Sequence, residues 1–213
     1  MLEINKELEK YILAHTSPEG ELLHELMRTT HLKVMQPRML SGHLQGRILE
    51  MFSMMIAPEY ILEIGTFTGY SAICLAQGLK PGGMLHTIDI NEETLDIARE
   101  YISRSNKADN IVIHAGSALL VIPQLGIIFD FVFIDGDKRE YLEYYHAVFD
   151  KVRSGGFIFV DNVLWDGKIT EEIKQNDHYT KGIADFNDFV AADGRVECVL
   201  LPFRDGMMAI RKK

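Results

Sequence analysis

Leu62-Glu63-Ile64-Gly65-Thr66-Phe67-Thr68-Gly69-Tyr70-Ser71 joins the end of an apolar run to the start of a helix-forming one. The run Tyr60 to Ile64 reads as a buried strand. It stops at a glycine, and a helical segment follows from Ser71 to Leu79. A strand, a glycine turn and a helix N-terminus form the place where α/β proteins bind nucleotides. The glycines are spaced Gly-x-x-x-Gly, so the Gly-x-Gly-x-x-Gly dinucleotide fingerprint is absent. Glu63 precedes the first glycine, and Asp89 closes the next apolar run, where an acid can accept both hydroxyls of a ribose. The combination favours S-adenosylmethionine (SAM) over NAD; the competing reading is an ordinary βα turn whose glycines serve tight packing.

Outward from this stretch the pattern alternates. Strands are expected at 60–64, 84–89, 110–115, 129–134 and 156–160, and helices at 70–79, 91–105, 117–124, 138–150 and 178–192. The unbroken run Phe129-Asp130-Phe131-Val132-Phe133-Ile134 implies a sheet covered on both faces. Strand–helix alternation implies right-handed crossovers and a parallel sheet. Val196–Leu201 and Met207–Ile210, joined by Pro202-Phe203-Arg204-Asp205-Gly206, read as a hairpin-like pair that makes the last strand antiparallel. The first forty residues read as helical, with Leu8, Ile12 and Leu13 and then Leu22, Leu23, Leu26 and Met27 at helical spacing. Ser17-Pro18-Glu19 is a suitable helix start, with Ser17 as cap and Pro18 in the first turn. Ser41 to Met55 forms a third helix. No linker divides the chain, so residues 1–213 are expected to be one domain, with 1–55 as a lid or dimer element and 56–213 as the cofactor-binding core.

Bulk properties narrow the function. A net charge of -9 over 213 residues argues against a general nucleic-acid surface. Cys74 and Cys198 lie far apart in apolar contexts, which reads as two reduced core cysteines of a cytoplasmic protein. The N-terminus lacks a signal-peptide pattern, and no apolar stretch reaches the ~18 residues of a membrane span.

In open α/β sheets the site lies at the carboxyl ends of the strands. The residues just past each expected strand are Glu63 and Gly65; Asp89; Gly116, Ser117 and Ala118; Asp135-Gly136-Asp137-Lys138; and Asp161-Asn162, with Trp165 soon after. Asp135, Asp161 and Asn162 offer hard oxygen ligands suited to Mg²⁺ or Ca²⁺. Taken singly, each motif fits a helix cap or turn as well. Their joint position after adjacent strands favours a metal site. No His/Cys set has zinc spacing.

The segments 63–71, 134–138 (Ile-Asp-Gly-Asp-Lys) and 161–167 (Asp-Asn-Val-Leu-Trp-Asp-Gly), in this order and with the Arg204-Asp205-Gly206 turn, resemble the metal-dependent SAM O-methyltransferases of the caffeoyl-CoA and catechol type. The resemblance runs from about residue 36 to the end. It implies the class I SAM-methyltransferase architecture: a Rossmann-like, seven-stranded, mostly parallel sheet with an antiparallel last strand, helices on both faces and extra N-terminal helices. It further implies that Leu40, Glu63, Gly65, Ser71, Asp89, Ala118 and Asp135 contact SAM. Asp135, Asp161 and Asn162 would hold the divalent cation, Lys138 with Asp135 would be catalytic, and Trp165 would line the acceptor pocket. The acceptor would be a small catechol-like phenol, and the protein a homodimer. A lysine beside a metal should lie below its usual pKa, with Asp137 working against this. The chain departs from the family at 39–46 and at Ser117, where many relatives carry an acid. Tyr179 and Phe203 are expected in the core or an interface. Two other readings keep the fold: a tRNA methyltransferase acting on a hydroxylated uridine, which would need Arg28, Lys33, Arg38, Arg47 and Lys168 to cluster, and a non-catalytic SAM-binding protein.

Overall fold

A computed structural model describes residues 6–213; residues 1–5 of the expected N-terminal element lie outside the described residues. Seven strands form one sheet: β1 Tyr60–Ile64, β2 Met84–Asp89, β3 Ile111–Ala115, β4 Phe129–Ile134, β5 Val152–Asp161, β6 Val196–Leu201 and β7 Met207–Lys212. Their order is β3-β2-β1-β4-β5-β7-β6. β1 to β5 are parallel, and β7 runs antiparallel between β5 and β6. This is the architecture the resemblance implied.

The helices are α1 Lys6–Ala14, α2 Glu21–Lys33, α3 Gly42–Ile56, α4 Tyr70–Ala76, α5 Glu92–Ser103, α6 Ala118–Val121, α7 Tyr141–Phe149 and α8 His178–Ala192. Two core layers sandwich the sheet. Phe129, Val132 and Ile134 of β4 pack with residues of α6, α7 and α8. Phe131 and Phe133 pack with residues of α2, α3, α4 and α5. A strand that buries residues on both faces is apolar along its length, which explains a run broken only by the half-buried Asp130 near its start. Full burial of one such phenylalanine contributes roughly 1.5–3 kcal/mol, so β4 is the central element of the core.

Local chemistry and tertiary contact disagree in three places. The helix expected to start at Ser17 begins at Glu21, after Gly20. Segment 17–19 is instead held outside the helix: His43 bonds the Ser17 carbonyl at 2.7 Å, Arg47 donates to the Pro18 carbonyl at 2.8 Å, and the Tyr70 hydroxyl donates to Glu19. Three tertiary bonds outweigh one local cap, each worth about 1 kcal/mol. β5 starts at Val152 rather than 156, and a shift in its register with β4 between Phe129 and Phe131 accommodates the extra residues. Cys74 is buried as expected, but Cys198 is exposed on β6. β6 is an edge strand with Glu197, Cys198 and Val199 facing out, so an apolar sequence context there does not mean burial. Among the described residues no helix is long and apolar enough to cross a membrane.

Candidate active site

Backbone bonds bring the ends of the parallel strands level. Gly65 N–H donates to the Ile88 carbonyl at 2.9 Å, Asp135 N–H to Ile64 at 2.8 Å, and Gly116 N–H to Asp89 at 2.8 Å. The β4–β5 register pairs Ile134 with Val160, so Asp135 and Asp161 leave neighbouring strands side by side. Glu63, Asp89, Asp135 and Asp161 thus share one rim.

On the β1–β2 side, Glu63 is wholly buried. Its Oε2 accepts from the Thr87 hydroxyl at 2.5 Å, and Thr66 is bonded in turn to Thr87. Its Oε1 has no partner. Burial pushes the Glu63 carboxyl up to about 8; the Thr87 and Ser71 hydroxyls oppose this, and the charges of Asp135 and Asp89 add to it. Asp89 accepts from Phe67 N–H at 2.7 Å and from Asn91 N–H at 3.0 Å, which aims it across the glycine turn. Ser71 lies buried in the first turn of α4, and Ala118 opens α6 in the core layer with Ile88. Leu40 sits differently. Its side chain is buried in the other core layer, with Ile61 and Tyr70, so only its backbone is left to meet a cofactor.

On the β4–β5 side, Lys138 Nζ donates to Asp135 Oδ1 at 2.6 Å and to the Gly136 carbonyl at 3.2 Å. The Tyr141 hydroxyl donates to the Asp161 carbonyl at 2.8 Å. Gln45 of α3 donates to Asp161 Oδ2 at 2.5 Å and accepts from Arg204. Burial pushes the Asp161 carboxyl up to about 6, and the charge of Asp135 adds to it. Asn162 follows in a left-handed conformation, φ 58°.

One lysine therefore faces two crowded carboxylates. Asp161 is still short of positive charge, and the donors are hard oxygens, so the set fits a divalent cation. Among the described residues no group of three or more His, Cys, Asp or Glu side chains could hold a metal; the set depends on Asn162 as its third ligand. Likewise, the unpartnered oxygen of Glu63 fits a ligand ammonium, which would favour the carboxylate form. The lowered pKa expected of Lys138 belongs to a metal-loaded site; the side chains of this cluster act in the opposite direction. Burial pulls it down, but Asp135 and Tyr141 outweigh burial and hold the lysine well above its usual value.

Beyond Asn162, Trp165 stacks on Tyr179, ring centroids 6.2 Å apart and 20° from parallel. Arg139 lies over Tyr179 at 5.2 Å and Lys168 over Trp165 at 5.9 Å. Tyr179 thus joins Trp165 in a half-exposed aromatic wall, whereas Phe203 packs against the core. Of the five scattered basic residues, Arg47 is bonded to Glu50, and Arg28 shares a cavity of about 440 Å³ on α2 with Glu19, Glu21 and Glu25.

Sequence reasoning missed Gln45, Thr87 and Tyr141. Gln45 carried a usable signal: it shares with Leu49 and Ser53 the inward stripe of α3, where a buried amide needs partners.

A family profile described as O-methyltransferase matches residues 13–213. Caffeoyl-CoA O-methyltransferase 1 of Eucalyptus globulus is 34% identical over 179 residues, 79% of this chain and 72% of that protein. Caffeoyl-CoA O-methyltransferase 1 of Nicotiana tabacum is 34% identical over 180 residues, 79% and 75% of the two chains. Among solved structures, the O-methyltransferase from Bacillus cereus in complex with S-adenosylhomocysteine (SAH) superposes with a TM-score of 0.91 at 31% identity, covering 97% of each chain. TomG from Streptomyces achromogenes, involved in tomaymycin synthesis and solved with SAM, gives 0.91 at 27% identity, covering 97% of this chain and 96% of that one.

Proposed function

The chain belongs to the SAM-dependent O-methyltransferases of the caffeoyl-CoA type, and on that premise we propose that it methylates a hydroxyl of a small catechol-like phenol with the help of a divalent cation of the Mg²⁺ or Ca²⁺ type. The observation that carries this reading is the Asp135–Lys138–Asp161 cluster, level with the unpartnered Glu63 oxygen on the same strand ends.

Glu63 and Ser71 would bind the methionine end of SAM and Asp89 the ribose hydroxyls, with Gly65, Ala118 and the Leu40 backbone contributing to the cofactor site. SAM supplies a methyl group on a sulfonium. Asp135, Asp161 and Asn162 hold the cation, which supplies Lewis acidity toward the acceptor hydroxyl and a fixed point for its orientation. Lys138 takes the hydroxyl proton at Nζ. Asp135 and Tyr141 now hold a proton there against burial. A cation held by Asp135 would weaken that carboxylate's share of the hold, so that burial would favour the neutral amine more strongly. Trp165 and Tyr179 position the aromatic ring and keep water from it.

The same reading makes the protein a cytoplasmic homodimer of single-domain subunits. Met51, Met54 and Met55 of α3 and Tyr11 of α1 are all exposed, and no residue of α1 is buried, which supports a pairing role for the N-terminal helices.

The first test is SAH formation from SAM with a panel of catechols, with Mg²⁺ and with chelator. Metal-dependent turnover is expected. Turnover that persists undiminished in chelator would remove the cation from the reading.

A second expectation follows from Glu63. Its carboxyl is ordinarily near 4.5 and is held at about 8 here. A folded-state pKa above the unfolded one means that the group's contribution to stability is lost as pH rises from 4.5 through 8. A bound ammonium reverses this by favouring the carboxylate. SAM binding at pH 6–7 should therefore release a proton, and affinity should rise on the order of tenfold per pH unit below about 8. Calorimetry in buffers of different ionisation enthalpy measures the release. Glu63→Gln should abolish it, and no proton release in the unaltered protein would contradict the assignment.

A further inference from the structure

Gln45 lies 1% exposed at the start of α3, with both ends of its amide engaged. Arg204 donates to its oxygen. A guanidinium can only donate, so this bond fixes which way the amide faces. The amide nitrogen is thereby aimed at Asp161 Oδ2, 2.5 Å away. Arg204 also donates to the carbonyl of Ser41, the residue ahead of α3. The arginine sits at φ 48° in the turn between β6 and β7. That turn is itself bonded to the loop after β5, through Leu164 N–H to the Asp205 carbonyl at 2.8 Å and Val163 N–H to Gly206 at 3.2 Å. One side chain thus ties the entry of α3 to the turn that backs Asn162.

The consequence concerns the number of oxygens left free. Gln45 occupies one oxygen of Asp161, and Lys138 occupies one oxygen of Asp135. Each bond fixes the plane of its carboxylate and leaves the other oxygen as the one without a side-chain donor, and Asn162 adds one amide oxygen. Mg²⁺ takes six ligands, keeps several waters and is served by one or two carboxylates. Ca²⁺ takes six to eight oxygens and often binds a carboxylate through both of its own. A set limited to single oxygens suits the smaller ion.

We propose that Gln45, clamped by Arg204, is a positioning residue that turns Asp161 to present one carboxylate oxygen and so selects Mg²⁺ over Ca²⁺ at the Asp135–Asp161–Asn162 site. The inference rests on the metal-dependent reading above. It extends that reading to two residues on elements outside the strand ends.

The test is direct calorimetric titration of the full chain, saturated with SAH, with MgCl₂ and with CaCl₂. The variants are Gln45→Leu, Gln45→Glu and Arg204→Met, and melting temperature and SAH affinity check the fold. Gln45→Leu frees Asp161 Oδ2. Gln45→Glu keeps an acceptor for Arg204 but cannot donate to Asp161, and it adds a carboxylate. Loss of a group that orients a metal ligand typically costs 10–100-fold in metal affinity. Mg²⁺ affinity should therefore fall about tenfold or more in both Gln45 variants, and the Ca²⁺-to-Mg²⁺ affinity ratio should rise. Arg204→Met should move the ratio the same way by less. If Gln45→Leu does not fold, the other two variants carry the comparison. An unchanged ratio in folded variants, with Mg²⁺ still bound by the unaltered protein, overturns the positioning role and leaves the metal reading intact. Binding of neither cation by the unaltered protein overturns both.

Discussion

Asp161→Asn is expected to lower kcat by two to three orders of magnitude while leaving the melting temperature at pH 8 unchanged or higher. The two halves of this expectation come from the same observation. Asp161 is 5% exposed beside Asp135, and its carboxyl is pushed up to about 6 by burial and by that neighbouring charge. With its folded pKa above the ordinary 3.8, its contribution to stability is full below 3.8 and is lost as pH rises through 6. At pH 8 the ionised group therefore works against folding. Replacement by the isosteric amide removes that repulsion and keeps an oxygen to accept from Gln45. Catalysis moves the other way, because a buried charge aimed at the reacting centre is the kind of preorganised electrostatic group whose loss costs about 10²–10³ in kcat. Initial rates at saturating Mg²⁺ and melting curves at pH 8 give both numbers. A kcat within tenfold of the unaltered enzyme would place the chemistry elsewhere. A large fall in melting temperature would mean that Asp161 serves the fold.

The legible parts of the chain were those where one local rule acts alone. β1, β2 and β4 have the bounds expected of them, because a strand covered on both faces writes its burial into most of its residues. Asp89, Asp135 and Asp161 came to one rim because the parallel register brings the strand ends level, so position after a strand was enough to place them there. What escaped were residues whose role depends on something distant in sequence. Gln45 reaches Asp161 across 116 positions and Arg204 reaches Gln45 across 159; no periodicity records such pairs. Ser17 failed as a cap because Tyr70 and Arg47 pull its neighbours onto α3 and α4. The charge that acts on Lys138 escaped for a related reason. The sequence shows Asp137 next to it, and the structure bonds Asp137 to Arg139 instead, leaving Asp135 as the charge that holds the lysine up.

Gly65→Ala is expected to damage both halves of the site at once. The residue has φ +103°, outside the range that side-chain-bearing residues adopt. A Cβ built there would lie 2.2 Å from the Asp135 carbonyl oxygen and 2.7 Å from its carbon. Both are backbone atoms, so no rotamer change relieves the overlap. Either the end of β1 or the end of β4 must move, and the bonds from Gly65 to Ile88 and from Asp135 to Ile64 flank the point of collision. Backbone strain of roughly 1–3 kcal/mol and overpacking of a similar size put the loss of stability at about 2–5 kcal/mol. A shift near 1 Å at Asp135 would by itself cost on the order of 10² in rate, and SAM affinity should fall because Glu63 and the glycine turn move with β1. Gly82→Ala isolates the strain. That glycine has φ +79°, but no atom lies within 4 Å of its would-be Cβ, so it should lose about 1 kcal/mol of stability and no activity. Denaturant melts, SAM titration and initial rates on the two variants side by side separate the contributions. If Gly65→Ala matched Gly82→Ala in stability and kept SAM affinity, the strand ends would have slack, and the close approach of β1 to β4 would not be what fixes Asp135 in place.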